Sequence, residues 1–421
     1  MPNFSIPLSG LTAESTALSA IANNLSNQNT TGYKDTTVLF SDLFYQNLGT
    51  TGSGDPIQEG AGTEISAMPA LFTQGSITST GVPSDVAIQG SGFFVVQNSD
   101  GTLNYTRAGD FSVNNANYLL TQSGQEVLGY PAVNGVVNTG AGVAPLQMGA
   151  GTISPPTATT NVALTTNLNA ASTAGDSYST PVTVYDSLGA SHTLTFNYTY
   201  NGLNAAGDGS WTYSITIPAA DVGQTGNPVQ IATGNLAFDS NGNLVTPAAN
   251  VAGITLPAGD NFADGATALN FTWQLFNANG GSSLTQVAAP SSTSAIDANG
   301  ASSGTLESYT IGSDGTITGS FSNGKTQALG QIALANFANQ EGLQLDGATD
   351  YSPTLASGAA VVGVAGTGGL GTISGSALES SNVDIATEFA NLIVAQRGFE
   401  ADAKAVTTFD QITQDTIALK Q

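Results

Sequence analysis

A chain of 421 residues has room for about three domains, and with only 9% charged side chains but 51 glycines its composition suits β-structure joined by tight turns. Its 30 acidic and 6 basic residues give a net charge of −24, which repels a phosphate backbone, excludes nucleic acid, and makes any self-assembly dependent on salt. The absence of cysteine excludes a disulfide framework and a thiolate metal site, leaving packing to stabilise the fold.

Met1 to Leu18 lacks a basic n-region and a continuous apolar h-region, so no Sec-type signal is expected, and no stretch approaches the roughly 18 apolar residues of a membrane span. Leu8, Leu11, Leu18, Ala22 and Leu25 recur at three- and four-residue spacings, with Ile21 widening the stripe, which predicts an amphipathic helix. Period-two runs follow at Ser84 to Ile88, Gly92 to Gln97, Tyr118 to Thr121, Thr180 to Tyr185 and Thr193 to Tyr200, and these predict strands. Hairpin turns are expected at Ser99-Asp100-Gly101, Ser187-Leu188-Gly189, Ser240-Asn241-Gly242, Asn279-Gly280 and Asp314-Gly315. Gly140 to Thr160 and Ala288 to Gly304 lack periodicity and read as the two hinges of an inserted outer domain. The C-terminal segment opens on Ser381-Asn382-Val383-Asp384, a capping-box pattern. It then carries Phe389, Leu392, Ile393, Phe399, Val406, Phe409, Ile412 and Ile417 on a run broken only by Gly398. Each terminal helix has an apolar stripe that it cannot bury alone, so the two need each other within one chain or need neighbouring copies.

Three patterns invite a catalytic or ligand-binding reading. Gly366-Thr367-Gly368-Gly369-Leu370-Gly371 matches the dinucleotide fingerprint, but that fingerprint must open a helix and lead to a further parallel strand; Thr372 to Ser376 is Ser/Gly-rich with no room for one, so a flexible connector is expected. His192 is the sole histidine and reads as a surface strand residue beside a turn. Asp239 to Asn243 resembles the start of a calcium loop but has Leu244 and Asn250 where Gly and Glu are required, so a hairpin turn is expected. The carboxylates are scattered and assigned to the solvated surface. No catalytic residue, cofactor or metal site is assigned.

Ala22-Asn23-Asn24-Leu25-Ser26-Asn27-Gln28-Asn29-Thr30-Thr31-Gly32-Tyr33-Lys34 resembles the N-terminal signature of the flagellar rod and hook axial proteins, with Ser26 in place of the usual Ala. Ser84 to Phe94 and Tyr105 to Phe111 are similar to the β-domain core of that family, with Ser84 where Leu is common. Gly375 to Asp384, containing Leu378, Glu379, Asn382 and Val383, and then Ile393 to Arg397 with Gln396, resemble its C-terminal signature. Val184 to Gly189 looks like the outer domain of the hook branch, and the large central insertion favours that branch over the distal rod.

The resemblance implies a mixed fold: terminal α-helical coiled-coil segments with nested, discontinuous antiparallel β-domains between them. The expected layout is paired helices at 1–30 and 378–421, extended linkers at 31–70 and 358–377, an inner β-domain at 71–147 and 305–357, and an outer β-domain at 148–304. The implied role is a non-enzymatic subunit of the bacterial flagellar hook, extracellular after export, polymerising into a flexible tube that transmits torque. Implied partners are further copies of itself, the distal rod, hook cap and hook-filament junction proteins, and the flagellar type III export apparatus, with no membrane insertion. Another axial subunit and a secreted β-rich adhesin are the alternatives.

Overall fold

The computed structural model describes residues 4–148, 153–277 and 279–419. The chain divides into two compact units, one of Met1–Ala150, Ser308–Gly319 and Thr326–Gln421, the other of Gly151–Glu307 and Ser320–Lys325.

The first unit carries both long helices, α1 (Ser5–Ser26) and α2 (Ile385–Ala418). α1 ends in the Asn-rich segment, where the Asn27 backbone N–H is shared between the Asn23 and Asn24 carbonyls and its side-chain amide also donates to Asn23 O. α2 starts at Asp384, whose Oδ1 accepts from the Thr387 N–H at 2.9 Å. The expected cap at Ser381 lies three residues too early; its hydroxyl accepts from the Val383 N–H in a local turn outside the helix.

The sheet of this unit places Thr326–Asn336, Glu126–Val133, Phe93–Gln97, Leu103–Thr106, Asp350–Ser352 and Gln344–Gly347 side by side in that order. Phe93 to Val96 are buried without alternation, so this strand is covered on both faces. One face holds Val86, Ile88, Phe94, Val96 and Ile332, and the other a ring cluster of Phe93, Tyr105, Phe337 and Tyr351 with Phe72. Val361–Val364 pairs with Thr326–Asn336, Thr372–Gly375 with Val86–Gln89, and Ala377–Glu379 with Ile77–Ser79. The stretch 358–377, expected as a linker, therefore carries hydrogen-bonded strands at Val361–Val364 and Thr372–Gly375, the second antiparallel to its partner and not the parallel strand of a dinucleotide fold. Shorter hairpins join Leu39–Asp42 to Thr63–Ala67 and Gln46–Thr50 to Pro56–Glu59.

The second unit consists of two sheets over one core. Ser177–Tyr185, Ser191–Leu203, Gly209–Ile217, Val229–Phe238 and Leu244–Thr246 form an antiparallel meander. Its strict inward alternation buries Leu194, Phe196, Tyr198, Trp211 and Ile215. In the other sheet Asn161–Asn169 pairs in parallel with Asn270–Gln274 and Leu284–Val287, and antiparallel with Ser292–Ala298. This corrects two expectations. The unit is not purely antiparallel, and Ala288 to Gly304 contains a strand, which Ser and Thr alternation conceals because its faces differ little in hydropathy. Of the other proposed hinge, Gly140 to Thr160, residues 149–152 lie outside the described residues.

Candidate functional site

α1 and α2 lie side by side and antiparallel. The Phe4 and Phe409 rings meet edge to face at 6.1 Å. A Cβ on Gly10 would meet the Asp402 carboxylate, and a Cβ on Gly398 would sit 2.8 Å from Glu14 Oε1. At the far end Asn24 Nδ2 donates to Glu388 Oε2 at 3.3 Å. Each advance along α1 is matched by an equal retreat along α2.

Apart from Pro7, Asn24 and Glu388, the side chains fully buried on the two helices are small. Ala13, Ala17 and Ala20 are buried on α1 and Ala395 on α2, with the two glycines continuing the seam. The larger apolar residues expected as stripes are in part exposed and in part half-buried. Leu8 is 57% exposed, Phe389 48% and Ile393 58%, and Ile412 and Ile417 are also exposed. Leu11, Leu18, Ile21 and Leu25 on α1, and Leu392, Phe399, Val406 and Phe409 on α2, are half-buried. Both helices and the segment 35–40 border a groove of about 430 Å³, with Ala17, Ala20, Ile21, Val38 and Val394 among its lining.

A second feature lies beyond the end of α1, where residues far apart in sequence converge. Lys34 Nζ is 2.6 Å from Glu379 Oε1, and Arg107 Nη1 is 3.3 Å from Glu379 Oε2, all three side chains being almost wholly buried. Lys34 also donates to the Thr73 carbonyl at 2.8 Å, Arg107 Nη2 to the Gly90 carbonyl at 2.8 Å, and the Gly75 N–H to Glu379 Oε1 at 2.9 Å. Burial pushes both cations toward their neutral forms, and the Glu379 carboxylate works against that push. The guanidinium also stands 5.4 Å from the centre of the Phe93 ring.

Asn24 and Asn382 extend this junction. Asn24 Oδ1 accepts from the Thr36 N–H at 3.1 Å and the Tyr33 hydroxyl at 3.0 Å, while its Nδ2 donates to Thr36 O at 3.0 Å and to Asp35. Asn23 Nδ2 donates to the Tyr33 oxygen at 3.0 Å. Asn382 Oδ1 accepts from the Asp35 N–H at 2.7 Å, and its Nδ2 donates to Leu71 O at 2.8 Å. Gly32 turns the chain at φ +68°, its N–H donating to Glu379 O at 2.9 Å. Burial, then the Glu388 carboxylate, raise the Asp35 carboxyl above its usual range.

The signature positions thus divide. Asn23, Asn24, Gly32, Tyr33, Lys34, Glu379 and Asn382 meet in one network; Asn29, Gln396 and Arg397 do not join it; Leu378 and Val383 are half-buried beside it. Sequence reasoning missed Arg107, Asp35 and Glu388 as members. Arg107 had a visible signal, being one of only 6 basic residues and lying within a quoted motif.

The other patterns resolve as follows. Gly366 to Gly371 forms a turn closed by Gly366 N–H to Gly371 O at 2.9 Å, and it leads into a strand paired antiparallel to Val86–Gln89, not into a helix. It is an ordered turn, not a loose connector. Asp239 Oδ1 accepts from the Asn241 and Asn243 amides, the geometry of a hairpin turn. The expectation that carboxylates are solvated fails at Glu379, Asp186, Glu388 and Asp350, all buried. His192 is also buried, at 7% exposure, because strand alternation puts it on the same face as Leu194, Phe196 and Tyr198.

Four family models match the chain in order. Residues 6–34 match "Flagella basal body rod protein", 87–167 "Flagellar hook protein FlgE/F/G D1 domain", 152–301 "Flagellar basal body protein FlaE D2 domain" and 374–419 "Flagellar basal body rod FlgEFG protein C-terminal". The sequence is 34% identical over 435 residues to the flagellar hook protein FlgE of Salmonella typhimurium, covering 99% of this chain and 100% of that one. It is 35% identical over 430 residues to the FlgE of Escherichia coli, with the same coverage of 99% and 100%. Among solved structures, the flagellar hook protein FlgE2 of Helicobacter pylori is similar in fold, with a TM-score of 0.52, 16% identity, and coverage of 72% of this chain and 100% of that chain.

Proposed function

The chain belongs to the flagellar hook protein family, and we propose that its terminal helices drive assembly by dividing their surface between an internal seam and contacts with other copies. It is a structural subunit of the bacterial flagellar hook, where copies polymerise into the flexible tube that passes torque to the filament. In our reading the small residues at Gly10, Ala13, Ala17, Ala20, Ala395 and Gly398 close the pair within one subunit. The larger side chains at Leu8, Leu11, Leu18, Ile21 and Leu25, and at Phe389, Leu392, Ile393, Phe399, Val406 and Ile412, then bury against neighbours in coiled-coil fashion, while Phe409 packs on Phe4 within the subunit.

The observation that carries this reading is the exposure of Leu8, Phe389 and Ile393 on helices whose buried apolar side chains are mostly alanine. An apolar surface of that kind is left for a partner. The four-part layout, from 1–30 with 378–421 out to 148–304, is read as successive layers of the polymer, with polar outer contacts that re-pair as the tube bends. The subunit is read as non-enzymatic, a view supported by the structural role of its family. Distal rod, hook cap and junction proteins, and export through the flagellar type III apparatus, complete the proposed context.

The test is electron microscopy of basal bodies from a deletion strain complemented with variants. Phe389→Glu combined with Ile393→Glu is expected to give rods without hooks. Leu188→Glu, at a 62% exposed turn of the second unit, is expected to give normal hooks. Hooks of equal number and length in both strains would overturn the reading.

A further inference from the structure

The single histidine of the chain stands among carboxylates in the second unit. Phe262 stacks on the His192 imidazole at 4.1 Å with the planes 17° apart, which fixes the ring. Nδ1 lies 3.1 Å from Asp221 Oδ2, and Nε2 lies 3.1 Å from Asp186 Oδ2. Asp186 is itself held in place, since its Oδ1 accepts from the Leu188 N–H at 2.8 Å and the Ala190 N–H at 2.9 Å, leaving Oδ2 to face the ring. The exposed Asp264 completes the group: one donor atom from each of Asp186, His192 and Asp264 lies within 4.8 Å of the other two. Asp264 is also anchored, its Oδ1 accepting from the Ala266 N–H at 3.0 Å.

We propose that His192 Nε2 and the carboxylates of Asp186 and Asp264 form a binding site for a divalent first-row transition cation, with Asp221 orienting the imidazole through Nδ1. With one ring N–H given to Asp221, the other nitrogen faces the Asp186 oxygen, and either a proton or a metal cation between them satisfies both atoms. Three carboxylates around one imidazole leave the group negative whichever form the ring takes. One nitrogen and two carboxylate oxygens suit zinc, cobalt or manganese, and a 3.1 Å spacing between two donors fits an ion about 2.0–2.2 Å from each. A ring N–H given to a carboxylate is the usual outer support of a ligating histidine. Asp264 supplies the solvent-facing side, where water fills the remaining positions. The ion would join the turn at 186–190, the 3₁₀ helix Ala219–Val222 and the loop at 262–266, so its effect is to stabilise this unit. This site is independent of the assembly reading.

Both tryptophans, Trp211 and Trp273, lie in the core of the second unit, so their fluorescence reports its unfolding. Full-length protein stripped with EDTA and titrated with Zn²⁺ alone is expected to bind one ion per chain and to show a raised fluorescence melting midpoint, whereas Mg²⁺ leaves the midpoint unchanged. Asp264→Asn, which keeps the acceptor for Ala266, is expected to weaken Zn²⁺ binding by at least about tenfold, and Asp221→Asn by about 10–100-fold. No Zn²⁺-dependent shift in the wild type overturns the proposal. So does an equal shift in wild type and Asp264→Asn, which would place the zinc elsewhere among the 30 acidic residues.

Discussion

Lys34 and Glu379, 345 residues apart, meet at 2.6 Å with both side chains out of reach of solvent. Because Glu379 also pairs with Arg107, one carboxylate neutralises part of two buried cations. Glu379→Gln leaves both uncompensated, and the expected loss is about 3–5 kcal/mol, the usual cost of breaking a buried pair from one side. Urea unfolding of the first unit followed by far-UV circular dichroism measures it; a loss below about 1 kcal/mol would show that the triad contributes no more than a surface pair.

Gly32 makes a sharper steric prediction. A Cβ there would lie 2.5 Å from the Ala108 nitrogen, a backbone atom that cannot rotate away, at a φ that side chains disfavour. Gly32→Ala is therefore expected to cost at least about 1–3 kcal/mol, in contrast to Gly54→Ala, where nothing lies within 4 Å and only the backbone penalty applies. Equal melting temperatures for the two variants would contradict the tight approach.

The Asp35 carboxyl, raised above its ordinary 3.8 by burial and then by Glu388, predicts a pH effect at the junction. A raised folded pKa favours the protonated form, so this contribution is complete below the ordinary value and lost as pH rises through the folded value. Asp35→Asn is expected to be more stable than wild type at about pH 7, with the advantage shrinking as pH falls toward about 4. Denaturation midpoints of both proteins across that range decide it, and an advantage that grows in acid would reverse the assignment.

Ala17→Leu tests the seam. Ala17 is buried and borders the groove that α1 shares with α2, so the added bulk is expected to cost about 1–3 kcal/mol and to separate the helices. Phe389→Glu, on the exposed face, is expected to change subunit stability by less than about 0.5 kcal/mol. Thermal unfolding of unassembled subunits distinguishes them, and the opposite ranking would move the intramolecular contact to the large residues.

The net charge of −24 predicts that polymerisation in vitro is promoted by monovalent salt, because screening shortens the range of repulsion between copies. Light scattering against salt concentration gives the measurement; assembly that weakens as salt rises would mean that attractive ion pairs dominate.

Strands such as Ser191–Leu203 were legible because one face is apolar and the other polar, and the same alternation already placed His192 inward, a signal overridden by the neighbouring turn. The helix seam was not legible. A scan for large apolar residues finds Leu8 and Phe389, whereas the buried side chains include Ala13, Ala17 and Ala395, which such a scan passes over. The signatures identified a family, yet the meeting of Lys34, Arg107 and Glu379 depends on tertiary folding that no local pattern encodes.

The pairing of Asn24 with Glu388 spans 364 positions. Residues of α1 lie near one end of the chain, but the helix they pair with lies near the other. A chain growing from its N-terminus therefore has α1 unmatched until α2 has followed and the two can pair. Completion of the joining end is thus a late event in the life of each copy, and a chain halted midway has nothing with which to finish it.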